Sequence, residues 1–318
     1  MPRAVPTQAS GLLYSSEYLR HYCRQRHPEN PERLKAIVQA LKGSGLAKEF
    51  QTIYPRRATL DDLQLVHTSE HCAFVREMSK NGGGMADPDT YIGEGSFEVA
   101  CHAAGGLLAA VDAVERGEVG RVLALARPPG HHATPTRAMG FCLFNNVALA
   151  ARYAQRKGFK KILIVDWDVH HGNGTQEFFY EDPAVGYFSV HQYPFYPGSG
   201  ARDETGRGEG KGYTANVPLL AGCGDSEYLA ALADDLPPLW ERVNPAMVFV
   251  SAGFDAHVRD PLAGMRVTTE GFGRMASMVL GRAGEIPVLF TLEGGYDLKA
   301  LGESVVAVAN AMLGEPHP

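Results

Sequence analysis

The chain has 318 residues, of which 45% are hydrophobic and 21% charged, a composition typical of a soluble globular protein. Its net charge of -6 argues against the basic surface that direct nucleic-acid binding or docking on an acidic membrane would need. The five cysteines are far apart and include no CxxC pair, which argues against a disulfide framework or a thiolate zinc site and indicates a reducing compartment. We expect a cytoplasmic protein without membrane segments, because the N-terminus lacks a signal-peptide pattern and no apolar run approaches the ~18 residues of a membrane span.

The first third of the chain is predicted to be mainly helical. Helical patterns lie over Glu32 to Lys42, twice between residues 58 and 80, and over Phe97 to Arg116. The segment Asn81 to Ser96 is rich in Gly, Pro and Asp and predicts a loop. That loop is either a flexible surface connection or a functional element, as loops of this length in compact domains often are.

Strand and helix patterns alternate after residue 120. Short apolar runs predict strands over Arg121 to Ala126, Lys161 to Val165, Val185 to Val190, Ala246 to Ser251, and Val288 to Leu292. Helices are predicted over Asn145 to Lys157, Thr175 to Tyr180, Ser226 to Arg242, Thr269 to Arg282, and Leu298 to Met312. This alternation predicts βαβ units in a mostly parallel α/β sheet. With no internal repeat or linker, residues 1–318 are predicted to form a single domain.

Polar residues follow each of these predicted strands. The segments are RPPGHHATP, DWDVHHGNG, HQYPFYPGSG, AGFDAH with Asp255 and His257, and EGGYD with Glu293 and Tyr296. In an open α/β sheet, ligands bind beyond the C-terminal ends of the strands. Carboxylates and imidazoles are seldom buried unless they are paired or bound to metal. Their concentration at one edge of the sheet therefore indicates an active site.

The strongest candidate for a metal site lies in DWDVHHGNG. Asp168 and His170 are two residues apart, so an extended segment points both side chains to the same face. Singly, they could be a strand-end cap and a core histidine, but Asp255 after another strand can complete a three-ligand set. Such a set leaves positions for water and substrate, and its oxygen and nitrogen ligands suit zinc, with iron(II), cobalt or manganese as alternatives. The adjacent His171 has no assigned role and is expected to support the site or pack in the core.

The tandem His131–His132 follows a rigid Pro-Pro-Gly turn and predicts either metal ligation or a general acid/base pair. Asp166 is a suitable hydrogen-bond partner for one ring and Asn173 for the other. Because a carboxylate raises the basicity of a ring and an amide does not, the two histidines should differ in pKa. Tyr296 could be a packing residue or could donate a hydrogen bond to a developing oxyanion.

Seven segments together resemble the histone deacetylase superfamily, which includes bacterial histone-deacetylase-like amidohydrolases, acetylpolyamine amidohydrolases and acetoin-utilisation proteins. They are RPPGHHA, GFCLFNNVALAA, VDWDVHHGNGTQ, SVHQYPFYPGSG, SAGFDAH, DPLAGM and LEGGYD, and the resemblance extends from HPENPER to the last helix. DWDVHHGNGT looks more like the class II branch than class I. The resemblance implies the arginase/deacetylase α/β fold, with a central parallel sheet of about eight strands and helices on both faces.

The resemblance also implies a role for individual residues. It implies zinc ligation by Asp168, His170 and Asp255, and catalysis by His131, His132 and Tyr296 with Asp166 and Asn173 behind the histidines. Substrate-binding positions are Gly140, Phe141, Tyr196, Leu262 and Asp87, with Asp89 as the alternative to Asp87. Arg33 matches an internal channel arginine. Structural potassium is implied at Asp166, Asp168, His170, Ser189 and Val190, and a second, weaker site at Phe179, Asp182, Val185 and Tyr213.

The implied function is a zinc-dependent deacetylase that hydrolyses N-acetylated amines to acetate and a free amine. The substrate is either acetyl-lysine in proteins or a small amine such as an acetylpolyamine. Asn173 stands where class I enzymes have aspartate, and Leu262 stands where one polyamine-selective branch has glutamate, which disfavours a second ammonium group. The alternatives are a binuclear manganese ureohydrolase of the same fold and a non-catalytic binder of acetylated ligands. A homo-oligomer is compatible with the sequence.

Overall fold

A computed structural model describes residues 9–23 and 26–314, so the first eight residues, on which the signal-peptide expectation rests, lie outside it. An eight-stranded parallel sheet has the order β2-β1-β5-β10-β9-β6-β7-β8. Its strands are β1 Ser10–Leu13, β2 Gln51–Ile53, β5 Arg121–Ala124, β6 Ile162–Asp166, β7 Val185–Gln192, β8 Thr214–Leu219, β9 Met247–Ala252 and β10 Val288–Leu292. A separate antiparallel hairpin consists of β3 Gly83–Met85 and β4 Tyr91–Gly93.

The helices follow the predicted pattern. They are α1 Glu32–Gly43, α2 Leu60–Leu63, α3 Ser69–Lys80, α4 Ser96–Glu115, α5 Asn146–Arg156, α6 Asn173–Phe179, α7 Asp225–Ala230, α8 Leu236–Val243, α9 Thr269–Ala283 and α10 Leu298–Leu313. The helix predicted over Ser226 to Arg242 is interrupted by a π-helical turn, Ala231–Asp235, which joins α7 to α8. Helix α10 packs against α9 and α1, and α4 packs against α5.

The central strands are covered on both faces. Every residue of β6, β7, β9 and β10 is buried. Since successive side chains of a strand point to opposite faces, complete burial requires helices on each side of the sheet. The five predicted strands are the adjacent central ones, β5, β10, β9, β6 and β7, so their C-terminal ends lie side by side. The predicted α/β class is confirmed.

The sequence did not reveal β1, β2 and β8, nor the hairpin within Asn81 to Ser96. Strands β1 and β2 have only four and three residues, and two of the three in β2 are exposed. Such short runs carry little periodicity. Strand β8 lies at the edge of the sheet and contains Pro218, which is tolerated there because an edge strand has unpaired backbone positions.

Helix α4 corrects the expectation about apolar length. It is long and apolar enough, by length and composition, to cross a membrane, but 78% of that apolar window is buried inside the protein. Alanines and glycines lie between its larger apolar residues. Its burial is that of a core helix packed beneath the sheet's first strands and α5.

Candidate active site

Asp168, His170 and Asp255 are brought together by the pairing of two strands. Strand β6 is a direct neighbour of β9, with Asp166 opposite Ser251, so the segments that follow them emerge side by side. His170 Nδ1 lies 3.1 Å from Asp168 Oδ1 and 3.1 Å from Asp255 Oδ2. One ligand atom from each of the three residues falls within 4.8 Å of the others. The predicted three-residue group therefore exists in space.

Backbone groups at glycine turns hold the two carboxylates in place. Gly294 N donates to Asp168 Oδ2 at 2.8 Å, and Val169 N donates to Asp255 Oδ1 at 2.9 Å. A Cβ at Gly253 would lie 2.1 Å from Asp168 Oδ2, and one at Gly294 would lie 2.1 Å from Asp255 Oδ2. Only glycine permits this approach. The sequence showed these glycines as turn residues and gave no sign that they enclose the carboxylates.

The charge of this group favours a cation. Asp168 and Asp255 are buried, and His170 contacts both. Burial alone would lower the pKa of His170, but the two carboxylates raise it to about 10. Two carboxylates and one imidazole fit a divalent metal, since buried charges are normally paired or bound to metal. Within residues 9–23 and 26–314, this is the single group of three such side chains with metal-binding spacing.

The two neighbouring histidines have different partners, as predicted. His131 Nδ1 lies 3.0 Å from Asp166 Oδ2, and His132 Nδ1 lies 2.8 Å from Asn173 Oδ1. Burial would lower the pKa of His131, but Asp168 and Asp166 raise it to about 10. Burial, together with the nearby His131 and His170, holds the pKa of His132 well below its usual value. The different surroundings thus shift the pKa values of the two rings in opposite directions, which favours His132 as the neutral ring.

Glu293 is a structural link that the sequence indicated only as a polar strand end. Its Oε2 accepts hydrogen bonds from Gly130 N at 2.7 Å and His131 N at 3.2 Å, while Oε1 accepts from Ser251 Oγ at 3.3 Å. Burial raises the pKa of this carboxyl to about 7. Glu293 thus joins the ends of β5, β9 and β10 and fixes the turn that carries His131. In the sequence, the position of Glu293 directly after a buried strand was the only indication of this role.

Tyr296 is held through its backbone and beneath its ring. Its N–H donates to Asp260 Oδ2 at 2.7 Å. The Arg33 guanidinium lies 4.9 Å from the centre of the Tyr296 ring, and Arg33 Nε donates to Gly295 O at 2.7 Å. Burial raises the pKa of the Tyr296 phenol well above its usual value, so the hydroxyl stays a hydrogen-bond donor. In the sequence, only the turn position of Asp260 in DPLAGM indicated that it could bind the backbone of Tyr296.

These groups share one cavity of about 260 Å³. Its lining consists of Asp89, Pro129, His131, His132, Gly140, Phe141, Asp168, His170, Tyr196, Leu262, Gly294 and Tyr296. The Phe141 and Tyr296 rings are 5.9 Å apart and perpendicular, and Tyr196 contacts His132 edge-on at 5.1 Å. A cavity with aromatic walls therefore borders the candidate metal-binding group, the His132 ring and the Tyr296 phenol.

Comparison with known protein families identifies the family to which this site belongs. The family model "Histone deacetylase domain" matches residues 27–312. The chain belongs to the histone deacetylase family. It is 38% identical to a "Probable deacetylase" of Archaeoglobus fulgidus, covering 96% of this chain and 86% of the relative. A "Probable deacetylase" of Methanothermobacter thermautotrophicus is 43% identical, with coverage of 96% and 91%.

Two further matches concern plant histone deacetylases. "Histone deacetylase 15" of Arabidopsis thaliana is 45% identical over 92% of this chain, which spans 53% of that protein. The crystal structure of the "HDA15 HD domain" superimposes with a TM-score of 0.93 at 42% identity and covers 97% of this chain and 89% of the crystallised one. The arginase/deacetylase fold and the deacetylase class of hydrolases are thereby established for this chain.

Within this histone deacetylase domain, the loop Asn81 to Ser96 places Asp89 rather than Asp87 on the cavity wall. Asp87 Oδ1 accepts hydrogen bonds from Asp89 N at 3.1 Å and Thr90 N at 2.7 Å and so shapes the turn. Thr90 Oγ1 donates to Asp89 Oδ1 and accepts from Phe141 N at 3.0 Å. Of the two carboxylates predicted for this position, Asp89, the alternative, lines the cavity, and Asp87 does not.

The residues matched to potassium sites in the histone deacetylase family are neighbours, although their ion binding stays a prediction. Ser189 is opposite Asp166 in the β6–β7 register, and Val190 follows it. For the weaker site, the carbonyls of Phe179 and Asp182 accept backbone hydrogen bonds from Asp182 and Val185, and that of Tyr213 accepts from Tyr187. His257 lies apart from the metal-binding group, with its Nε2 3.2 Å from Thr269 Oγ1.

Proposed function

We propose that this deacetylase uses one zinc ion, bound by Asp168, His170 and Asp255, to hydrolyse acetylated amines to acetate and the free amine. The observation that carries the proposal is the position of the three-ligand group beside neutral His132 and the Tyr296 phenol in one aromatic cavity. The donor set and its enclosure by glycine turns fit the ion. Bound there, zinc supplies Lewis acidity that polarises an amide carbonyl and lowers the pKa of a water.

The hydrogen bond to Asn173 supports a proton-transfer role for His132. Asn173 Nδ2 faces Met139 Sδ, which leaves Asn173 Oδ1 to accept from His132 Nδ1–H. The lone pair of a neutral His132 is then on Nε2, where it can take a proton from the attacking water. Protonated His132 can next give that proton to the leaving amine. His131, held by Asp166 with a raised pKa, contributes positive charge close to the reacting carbonyl.

Tyr296 completes the arrangement by donating from its hydroxyl to the oxyanion of the tetrahedral intermediate. A Tyr296→Phe protein should retain its metal and lose roughly 100-fold or more in kcat, the scale of losing one oxyanion donor. Tyr153→Phe is the matched control, because its hydroxyl donates to Asp112 at 2.9 Å outside the cavity. Steady-state kinetics with metal analysis measure both variants, and unchanged kcat in Tyr296→Phe would remove this role.

We propose acetyl-lysine side chains in proteins as the preferred substrates. The aromatic walls Phe141 and Tyr196 suit an alkyl chain, and Leu262 on the wall offers no charge for a second ammonium group. The name of the similar Arabidopsis protein, histone deacetylase 15, favours the same choice. An acetate-release panel of acetyl-lysine peptides, acetylspermidine, acetylputrescine and longer acyl-lysines tests it. Preference for the acetylpolyamines would contradict the assignment while retaining the deacetylase.

The other candidate functions have less support. A binuclear manganese ureohydrolase needs more bridging carboxylates than the single group found among the described residues. A non-catalytic binder would not need the His132–Asn173 hydrogen bond or the Tyr296 phenol in the same cavity. We further propose structural potassium at the matched positions, a single catalytic domain over residues 1–318, and a cytoplasmic location.

A further inference from the structure

His171 is the one polar residue of DWDVHHGNG that the proposed reaction does not use. Its ring is 1% exposed, yet both nitrogens are engaged away from the metal-binding group. Nδ1 lies 2.8 Å from Ser199 Oγ, and Nε2 lies 3.0 Å from Gln176 Oε1. His171 therefore connects the end of β6 to α6 and to the loop that follows the cavity residue Tyr196.

His171, Gln176, Asn216 and Glu204 form a hydrogen-bond network. The direction of its bonds follows from the Glu204 carboxylate, which can only accept. The Glu204 carboxylate accepts from Gln176 Nε2 at 2.6 Å, which fixes Gln176 Oε1 as an acceptor. That oxygen receives Asn216 Nδ2 at 2.7 Å and the N–H of His171 Nε2. The second Glu204 oxygen accepts from the backbone N–H of Gly200 and of Ala201, both at 3.0 Å.

The loop Ser199 to Glu204 is packed directly on the rings it binds. His191 Nε2 lies 2.9 Å from Gly200 O, and the His171 and His191 rings are 4.9 Å apart. A Cβ at Gly200 would lie 2.5 Å from His191 and 2.6 Å from His171. The close approach leaves the loop little freedom to shift while the network is intact.

The aromatic wall of the cavity directly precedes this loop in the chain. Phe195 stacks on the His170 ring at 5.3 Å, and Tyr196 contacts His132 at 5.1 Å. Only Pro197 and Gly198 separate Tyr196 from Ser199. Tyr196 is 36% exposed, so its own burial holds it weakly. Its position over the cavity depends on how its neighbours are anchored.

We infer that His171, Gln176 and Glu204 are positioning residues that hold the loop Ser199 to Glu204, and through it the Tyr196 wall, against the substrate. This inference rests on the proposed function, because Tyr196 is assigned to the substrate cavity. Loosening the loop should weaken substrate binding. It should leave the chemical step nearly unchanged, since Asp168 is held by Gly294 N and the turn that carries His131 is held by Glu293.

A variant pair tests the network by exchanging donor and acceptor. In Glu204→Gln, a single amide oxygen replaces two accepting oxygens. If it keeps the bonds from Gly200 N and Ala201 N, the new amide N–H₂ faces Gln176 Nε2–H₂, two donors with no acceptor. Gln176→Glu/Glu204→Gln restores every bond: the carboxylate at 176 accepts from His171, Asn216 and the new amide, whose oxygen still accepts from Gly200 and Ala201. Loss of this partly buried bond should raise KM for an acetyl-lysine peptide about 10-fold, with kcat within about twofold. The double variant should return KM to the wild-type value.

Amide hydrogen exchange gives a readout independent of turnover. Exchange in the loop Ser199 to Glu204 should accelerate in Glu204→Gln and return to wild type in the double variant. Asp203→Asn, which removes one negative charge from an exposed position of the same loop, is the matched control and should change KM by less than about twofold. If Glu204→Gln does not fold, Ser199→Ala is the milder test, with a KM increase of about threefold.

Three results would overturn the inference: unchanged KM and exchange in folded Glu204→Gln, an equal defect in the double variant, or unchanged KM in Ser199→Ala. Wild-type protein that releases no acetate from any substrate would instead contradict the proposed function. In that case, the exchange measurements still decide whether the network holds the loop.

Discussion

An Asp255→Asn protein should lose its metal and nearly all of its deacetylase activity. The change preserves the size of the side chain but leaves Asp168 as the only carboxylate in the three-ligand group. We expect metal affinity to fall roughly 100-fold or more, because even hydrogen-bond partners of ligands contribute 10- to 100-fold. Deacetylation should fall by roughly three orders of magnitude or more, since the metal contributes several kcal/mol to stabilising the transition state.

Metal content after dialysis and the thermal midpoint with and without added zinc measure this directly. The wild-type midpoint should rise on zinc addition, because a ligand that binds the folded state stabilises it, and the variant midpoint should not. Asp260→Asn is the matched control, a buried carboxylate five residues away that contacts Leu262 N and Tyr296 N instead of His170. It should keep its metal. Equal metal content in Asp255→Asn and wild type would contradict the assigned ligand set.

Glu29→Gln should lower the stability of the fold far more than the matched change at the exposed Glu32. The Glu29 side chain is 2% exposed and contacts two buried arginines, with Arg127 at 2.5 and 2.9 Å and Arg33 Nη1 at 3.3 Å. Removing this carboxylate leaves both guanidinium groups without their buried counter-charge. We expect the free energy of unfolding to fall by about 3–5 kcal/mol, as measured when one partner of a buried ion pair is removed.

Glu29→Gln should also disturb the active site, because Arg33 contacts the turn that carries Tyr296. Arg33 donates to the carbonyls of Glu293 and Gly295, at 2.5 and 2.7 Å, and so fixes the turn that carries Tyr296. Glu32→Gln is the matched control, since Glu32 pairs with Lys35 on the surface three residues along the chain. That exposed pair should contribute less than about 1 kcal/mol. Equal denaturation midpoints for the two variants would show that the buried group is not stabilising.

The pH dependence of stability provides a second measurement on Glu29. Burial would raise its pKa, but Arg127, His21 and Arg33 outweigh burial and lower it from 4.5 to about 2. A carboxyl with a depressed folded pKa stabilises fully above its unfolded pKa and loses that contribution as pH falls through the folded value. Wild type should therefore lose about 3 kcal/mol more than Glu29→Gln between pH 4.5 and pH 2. Burial lowers the pKa of His21 from 6.5 to about 4. The stability that depends on neutral His21 is therefore lost mainly above pH 4.5, before the Glu29 contribution is lost.

The centre of the fold and the reactive groups were readable from the sequence because both depend on local patterns. Apolar runs of buried strands revealed β5, β6, β7, β9 and β10, and the polar residues after them revealed the site. The pairings of His131 with Asp166 and of His132 with Asn173 followed from the chemistry of the side chains. Short edge strands lacked such periodicity and were missed.

Contacts between distant segments were not predictable. Nothing near Gly294 in sequence shows that its N–H meets Asp168, 126 residues away, or that Arg33 lies beneath Tyr296. The choice between Asp87 and Asp89 depended on the turn geometry of one loop. These features arise from how the sheet brings turns together, which a single sequence does not specify residue by residue.

Acetate release measured during zinc titration of the metal-free protein tests the central claim most directly. With an acetyl-lysine peptide as substrate, acetate and free amine should appear in equal amounts, and activity should rise until one zinc ion is bound per chain. Chelation should abolish the activity, and Asp255→Asn should show none at any zinc concentration. Full acetate release by the metal-free protein, or activity that requires two ions per chain, would contradict a single-zinc deacetylase.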